Sequence, residues 1–153
     1  MIRLSRITDY GIVVMAHLAR CPTGQRNARE VAAETQLPAP VVSKILKGLT
    51  REGLLESHRG AKGGYSLARR PGEISAAEII TALEGPIGLT ECTVHPGQCV
   101  QESSCHVREP WQRINAVVRE ALAQVTLADL ATPAAAGRIV ELFELGVDVG
   151  DRA

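Results

Sequence analysis

The sequence lacks any apolar run that approaches the roughly 20 residues needed to span a membrane. Its opening carries charges at Arg3, Arg6 and Asp9 and has no apolar stretch before a small-residue cleavage site, so we do not expect it to act as a secretory signal peptide. Aromatic residues make up only 3% of the 153 residues, but a hydrophobic fraction of 45% is sufficient for a core. We therefore expect a soluble, cytoplasmic protein with no membrane partner.

Motifs typical of enzymes are also missing. The chain contains no evident nucleophile–base pair, no phosphate-binding loop and no Cys-x2-Cys motif. These absences argue against a thiol oxidoreductase or another enzyme, and we expect no small-molecule substrate.

The net charge of zero conceals a strong asymmetry between the two halves. Residues 1–70 carry twelve Lys and Arg against five Asp and Glu, a net charge of +7, and residues 71–153 carry a net charge of −7. A basic half beside an acidic half is expected when one part of a protein contacts a polyanion. Chance segregation of solvated charges is the alternative.

The basic half shows the order of elements of a winged helix-turn-helix domain. Apolar residues at helical spacing predict a first helix over residues 7–19, and Asn27 followed by Glu30 resembles a capping box that opens a second. Pro40 suits the first turn of a third helix that runs to about Glu52. Two strand-like pieces, 54–59 and 64–68, then flank a basic, glycine-rich tip and predict a hairpin.

The third helix and the hairpin carry the candidate DNA-binding residues. Ser43 and Lys44 could reach base edges in a major groove while Lys47 and Arg51, on the same helical face, meet phosphates. At the wing, glycines let the backbone approach a sugar–phosphate ridge or a minor groove. The wing candidates are Arg59, Lys62, Gly63, Gly64 and Tyr65, of which Tyr65 either caps the hairpin or touches the DNA backbone.

The acidic half is predicted to hold a helix capped by Ser75, a polar loop over 85–106 and a long helix over 110–124. The long helix has a narrow apolar stripe, which suggests pairing with a second copy, although packing on its own domain needs the same stripe. The stripe consists of Trp111, Ile114, Val118 and Leu122. The predicted fold class is mainly α, with a DNA-binding domain over 1–72, a loop and dimerisation helices over 73–131, and a partly disordered tail over 132–153.

Three of the four cysteines, Cys92, Cys99 and Cys105, lie within the polar loop, and an odd number of thiols cannot pair completely within one chain. Without a secretion signal, such a group indicates metal binding or redox chemistry. Thiolates select Zn, Cu(I) or iron–sulfur clusters, and zinc sites usually contain close Cys-x2-Cys pairs. A fourth ligand could come from His106, from His95, or from Asp9 of a partner chain.

The chain resembles the winged-helix iron–sulfur transcriptional regulators that include IscR and the SUF-system assembly regulator. The resemblance rests on residues 4–11 (LSRITDYG), on residues 59–65 (RGAKGGY) at the wing, and on the three cysteines before Trp111. It implies a homodimer that binds operator DNA and that carries an iron–sulfur cluster on Cys92, Cys99 and Cys105 of each subunit. It also implies control of cluster-assembly genes or of redox and nitric-oxide stress genes, and we expect this control to be repression.

Two departures bear on the fourth ligand. IscR-type relatives have a histidine three residues after the last cysteine, where this chain has Arg108, and their first two cysteines are one residue closer together. Other relatives use an acidic residue in the first helix of the opposite subunit, a position that Asp9 matches. The resemblance therefore favours Asp9 over His106, while a plain helix N-cap is the competing role for Asp9. A [2Fe–2S] cluster is favoured over [4Fe–4S].

Other interpretations remain open at this point. The cysteines could form a metal-free thiol–disulfide switch in a winged-helix repressor, or zinc could stabilise the fold. His17 and His58 are expected to be structural or surface residues, and Cys21 a buried or idle thiol.

Overall fold

The computed structural model describes residues 3–21, 24–60 and 62–132. The predicted tail lies outside these residues except for Thr132. The elements in chain order are α1 (Arg6–Arg20), α2 (Ala28–Thr35), α3 (Ala39–Arg51), β1 (Leu55–His58), β2 (Gly64–Leu67), α4 (Ala76–Glu84), α5 (Glu91–Val94), α6 (Arg108–Gln124) and α7 (Leu127–Ala131). A mainly helical chain with one two-stranded hairpin confirms the predicted fold class. No helix in this part of the chain is long and apolar enough to cross a membrane.

Side-chain caps fix where the first helices begin. The Ser5 side chain accepts a hydrogen bond from the Thr8 amide at 3.3 Å and so caps α1. Asn27 accepts from the Glu30 amide at 3.0 Å, and the Glu30 carboxylate accepts from the Asn27 amide at 2.9 Å. This reciprocal pair confirms the predicted capping box of α2.

The hydrophobic core lies where α1, α2 and α3 meet the hairpin, α4 and α7. The apolar face of α3 is buried throughout, and α1 contributes three residues to the same cluster. Gly11 allows the closest approach of α1 to α4, because a Cβ there would collide with the Leu83 side chain. The buried residues of these two helices are Val14, Met15 and Leu18 of α1 and Val42, Ile45, Leu46 and Leu49 of α3.

The hairpin is antiparallel, with Leu55 opposite Leu67 and His58 opposite Gly64. It is attached to the chain before α2 by a short bridge in which Arg26 and Tyr65 exchange backbone hydrogen bonds of 3.1 and 2.9 Å. The wing is therefore held against the helix-turn-helix by main-chain bonds, which fixes its position relative to α2 and α3.

Two backbone hydrogen bonds join the residues around the start of α4 to the residues around the start of α7. The Ala76 amide donates to the Val125 carbonyl at 2.8 Å, and the Leu127 amide donates to the Ile74 carbonyl at 2.7 Å. Leu127 is fully buried, and α7 packs against α1. The core thus combines residues from both sides of position 72, and the domain boundary proposed there stays a prediction.

The loop predicted over 85–106 is more ordered than an irregular connection. It contains the single turn α5 and a 3-10 turn over Glu102–Ser104. The α5 turn is closed by Thr93, whose hydroxyl donates to the Thr90 carbonyl at 2.7 Å. Side-chain bonds of this kind stabilise a turn too short for a periodic hydrophobic pattern to predict.

Candidate functional site

The exposed face of α3 carries the predicted cations. Lys44 and Lys47 are exposed and form no hydrogen bond or ion pair within the described ranges, and Ser43 beside them is half-buried. Arg51 is also exposed, with its Nε 3.1 Å from a carboxylate oxygen of Glu52. Exposed pairs of this kind are weak, so Arg51 remains available to a phosphate. The face therefore presents three accessible positive charges at helical spacing.

The wing tip is a tight turn with two exposed cations, Arg59 and Lys62. The Gly63 amide donates to the Gly60 carbonyl at 2.9 Å, and a Cβ on Gly63 would collide with the carbonyl oxygen of His58. Gly60 has a φ of +117°, in the region that favours glycine. The glycines shape the tip that carries the two charges.

Gly64 and Tyr65 occupy structural positions in the wing. Gly64 is buried, and a Cβ on it would lie 2.7 Å from the carbonyl oxygen of Arg26. Tyr65 is half-buried and packs against the core, in agreement with the capping role considered for it. A direct contact of either residue with DNA stays a prediction.

The three clustered cysteines are free thiols in three different settings. Cys92 lies on α5 and is buried, with its Sγ 3.3 Å from the Thr90 hydroxyl oxygen. Cys99 and Cys105 are half-buried, one before and one after the 3-10 turn. In the ranges that the structure describes, these three sulfur atoms do not form a group within 4.8 Å of one another.

Arg108 organises the turn between Cys99 and Cys105. Its guanidinium forms an ion pair of 2.6 Å with Glu102, whose side chain is only 11% exposed. The Glu102 carboxylate in turn accepts from the Gly97 amide at 2.6 Å. The Nε of Arg108 is buried and has no hydrogen-bond partner. We call residues 85–107, between α4 and α6, the cysteine segment. The residue that replaces the IscR-type histidine thus places a positive charge and an unused hydrogen-bond donor at the end of this segment.

Asp9 and His106, the two candidate fourth ligands, are both exposed. Asp9 lies in the first turn of α1, four residues after Ser5, and its amide donates to the Ser5 carbonyl at 3.0 Å. Ser5, not Asp9, is the N-cap of α1, so the N-cap alternative for Asp9 is wrong. The Asp9 carboxylate makes no hydrogen bond or ion pair with any residue described in this chain.

The start of α1 is tied to the end of α4 by Glu84. Its carboxylate accepts from the Ser5 amide at 2.6 Å. Hydrogen bonds from the side chains of Thr8 and Ser5 and from the Ser5 amide lower the pKa of Glu84 despite partial burial. The sequence patterns missed this contact, which joins residues 79 positions apart.

The long helix α6 has one face toward the protein and one toward solvent. On the inner face, buried Asn115 accepts from the Leu89 amide at 3.0 Å and donates to the Ile87 carbonyl at 3.4 Å, which fastens the start of the cysteine segment. On the outer face, the exposed fractions of Trp111, Ile114 and Val117 are 39%, 46% and 69%.

Val118 and Leu122, the other two residues of the predicted stripe, are half-buried and line a groove with Leu4 and Ile80. The predicted stripe is therefore divided between an exposed face and a groove. The apolar periodicity did not predict the exposed apolar side chain of Val117 or the buried polar side chain of Asn115.

Comparison with known proteins places this architecture among transcriptional regulators. The profile of the Rrf2 family, described as "Iron-dependent Transcriptional regulator", matches residues 4–133. The HTH-type transcriptional regulator CymR of Bacillus subtilis is 34% identical over 131 residues, which cover 85% of this chain and 90% of that protein. The regulator NsrR of Geobacillus kaustophilus is 30% identical over 130 residues, covering 84% of this chain and 88% of NsrR.

Solved structures agree with these sequence relationships. The structure of CymR, titled the global cysteine regulator of B. subtilis, superimposes with a TM-score of 0.68 at 34% identity and covers 86% of this chain and 97% of that one. The structure of T. potens IscR gives a TM-score of 0.62 at 27% identity, covering 97% of this chain and 94% of that one.

Proposed function

The chain belongs to the Rrf2 family of iron-dependent transcriptional regulators, and from this premise we propose that it is a homodimeric repressor that senses through an iron–sulfur cluster on Cys92, Cys99 and Cys105. It binds partly palindromic operators of genes for cluster assembly or for the response to redox or nitric-oxide stress. The observation that carries this proposal is the set of three free thiols on one segment whose ends are fastened to the core.

The chemistry of the donor set fits a cluster. Thiolates are the usual ligands of iron–sulfur clusters, and this segment carries three cysteines that are free thiols. The buried, unpaired Nε of Arg108 is a donor suited to an anionic group. When bound, the cluster supplies iron that reacts with oxidants or nitric oxide.

The spacing of the cysteines along the chain favours a cluster over a single zinc ion. Zinc sites usually contain close Cys-x2-Cys pairs, whereas six residues separate Cys92 from Cys99 and five separate Cys99 from Cys105. A cluster distributes its protein ligands over two or more iron atoms, [2Fe–2S] being the form that we favour and [4Fe–4S] the alternative.

Asp9 of the partner subunit is the fourth ligand that we favour, ahead of His106. The carboxylate is exposed and has no hydrogen bond or ion pair with the residues that the structure describes, so it is available to a neighbouring chain. The turn that presents it is held by Glu84, the last residue of the helix before the cysteine segment. A ligand at this place connects the cluster to the start of α1.

The contacts of the cysteine segment provide a route to the DNA-binding surface. Asn115 joins the segment to α6, and Glu84 joins the end of α4 to α1, which packs on α3. Cluster occupancy thus controls the spacing of the two α3 helices in the dimer. Half-sites should be about one helical turn of DNA apart, roughly 34 Å.

A second copy of this chain is the partner that we propose for the outer face of α6. Replacement of Ile114 by Glu would place a charge in the apolar contact, whereas Gln112→Glu adds the same charge at an exposed polar position of the same helix. We expect I114E to be monomeric and Q112E dimeric in analytical ultracentrifugation. A dimer in both variants would place the interface elsewhere.

The cluster is tested by anaerobic purification with iron and sulfide analysis and by absorption and EPR spectroscopy. We expect the Ser variants of Cys92, Cys99 and Cys105 to lose iron, whereas Cys21→Ser retains it. Loss of iron in Asp9→Ala but not in His106→Ala would support the ligand from the partner. Colourless, iron-free wild-type protein that forms disulfides reversibly would instead support the thiol–disulfide switch.

Coupling is tested by titration of operator DNA with cluster-loaded and cluster-free protein. We expect the two forms to differ in affinity or in site preference. Identical binding curves on identical sites would contradict regulation by the cluster while leaving DNA binding intact.

A further inference from the structure

A second group of metal-ligating side chains lies at the junction of α1 and α2, outside the cysteine segment. The Nε2 or Nδ1 of His17, the Sγ of Cys21 and a carboxylate oxygen of Glu34 lie within 4.8 Å of one another. From the sequence, His17 was expected to be a structural or surface residue and Cys21 a buried or idle thiol. The three side chains offer one nitrogen, one sulfur and one oxygen ligand, a combination that none of the three residues suggests alone.

The fold brings the group together through two helices. His17 lies in the last turn of α1, and Cys21, four residues later, is the C-cap residue of this helix, which leaves the two side chains close together. The Cys21 amide donates to the Leu18 carbonyl at 3.1 Å, which continues the helical path to the thiol. Glu34 comes from the last turn of α2, and its Oε2 lies 2.7 Å from the Nε2 of His17, whose side chain is only 13% exposed.

We propose that His17, Cys21 and Glu34 bind a divalent transition metal of the zinc class, with a fourth position open to water. Imidazole, thiolate and carboxylate are the three ligand types of zinc, at bond lengths of about 2.0–2.3 Å. These lengths place tetrahedral ligands roughly 3.3–3.8 Å apart, so the group needs only small side-chain adjustments. The ion replaces the hydrogen bond between His17 and Glu34, and the thiol proton of Cys21 is released to solvent.

Arg26 connects this site to the wing. Its Nε lies 3.9 Å from the Glu34 carboxylate and is buried without a hydrogen-bond partner. The guanidinium competes with the ion for Glu34, which limits affinity. The backbone of Arg26 pairs with Tyr65 of β2, so the bound ion acts on the attachment of the wing as well as on the angle between α1 and α2. Cys21 also lines a surface cleft with Ser66, which gives the ion a path of entry.

The test must separate this site from the three cysteines of the loop. Replacement of Cys92, Cys99 and Cys105 by Ser leaves Cys21 as the sole thiol of the full chain. Co²⁺ is the probe, because a thiolate ligand gives a sulfur-to-cobalt charge-transfer band and tetrahedral coordination gives intense d–d bands. We expect both features to saturate with one ion per chain.

Further substitutions in that background identify the ligands. Cys21→Ser should abolish the charge-transfer band, and His17→Gln and Glu34→Gln should each weaken binding by about tenfold or more, since even outer-shell partners contribute roughly 10- to 100-fold. His58→Gln is the matched control, because His58 contacts Ser66 of the hairpin and lies outside the group. Cobalt bound without the charge-transfer band, or equal binding in all variants, would overturn the proposal.

A second measurement covers the case in which the triple Ser variant does not fold, as judged by circular dichroism. In the chain with all cysteines, Zn²⁺ should raise the thermal midpoint more for the wild type than for Glu34→Gln, because an ion bound to the native state stabilises it. An equal rise in both proteins would refute the site. Neither experiment depends on the iron–sulfur cluster, so a failure of the proposed sensing function would leave this result interpretable.

Discussion

Asn115 provides a quantitative test of how the cysteine segment is held. Its replacement by Ala removes the acceptor 3.0 Å from the Leu89 amide and leaves that donor unpaired, at a cost of about 1–3 kcal/mol. Alanine is a better helix former than asparagine by about 0.5–0.7 kcal/mol, which offsets part of the loss. The net destabilisation of roughly 0.3–2.5 kcal/mol corresponds to a fall of about 1–10 °C in the thermal midpoint.

The assay is urea and thermal unfolding combined with hydrogen exchange of the Leu89 amide. Gln112→Ala is the control, because Gln112 is exposed on the same helix and the substitution should change the free energy of unfolding by less than about 0.5 kcal/mol. We also expect N115A to lose iron faster than Q112A, since Leu89 lies three residues before Cys92. Unchanged stability together with unchanged protection of the Leu89 amide would refute the anchoring role of Asn115.

Three further predictions concern pH, the wing and the core. The pKa of Glu84 is lowered below its ordinary value of 4.5 in the folded state, so the stabilisation by its carboxylate is present above that value and is lost as the pH falls through the folded pKa. The difference in unfolding free energy between the wild type and Glu84→Gln should therefore disappear in acid. A constant difference from pH 7 to pH 3 would contradict this. In a mobility-shift assay, Gly63→Ala should bind the operator more weakly than the wild type, because a Cβ at Gly63 collides with carbonyl groups of the turn. Gly72→Ala is the control and should bind normally, because a Cβ there meets nothing within 4 Å. Leu127→Ala should lower the free energy of unfolding by about 2–5 kcal/mol in urea titrations, because this side chain is fully buried between α7 and the rest of the core; a loss under 1 kcal/mol would show that α7 contributes little to the core.

Local signals accounted for most of the elements that the sequence analysis predicted. The capping boxes at Asn27 and Ser75 are formed by residues three positions apart, so they are visible in the sequence and are present in the structure. The apolar face of α3 follows from its period and is buried. These features depend only on neighbours along the chain, which is why they could be predicted.

Contacts between distant residues could not be predicted in this way. Ser5 and Glu84 meet only because α1 and α4 pack together, and His17 meets Glu34 only because the chain reverses between α1 and α2. No periodic pattern encodes such pairs. The N-cap role considered for Asp9 was wrong because Ser5, four residues earlier, already begins the helix.

Short motifs were sufficient to recognise the cysteines and the wing, but not the residues that hold them in position. The three cysteines and the glycine-rich wing are visible as residue types at a given spacing. The roles of Glu102, Arg108 and Asn115 follow from burial and hydrogen bonds, which a single sequence does not reveal.

The backbone clasp between Ser75 and Thr126 has a consequence for how this architecture varies. Because both ends of the intervening stretch are bonded to each other, residues inserted in its loop between α4 and α6 lengthen a closed loop and leave the bonds at its base in place. Even a doubling of such a loop costs only about 0.6 kcal/mol of closure entropy. An additional residue between Cys92 and Cys99 thus costs little free energy, and the same helix-turn-helix and wing can be combined with cysteines at a different spacing.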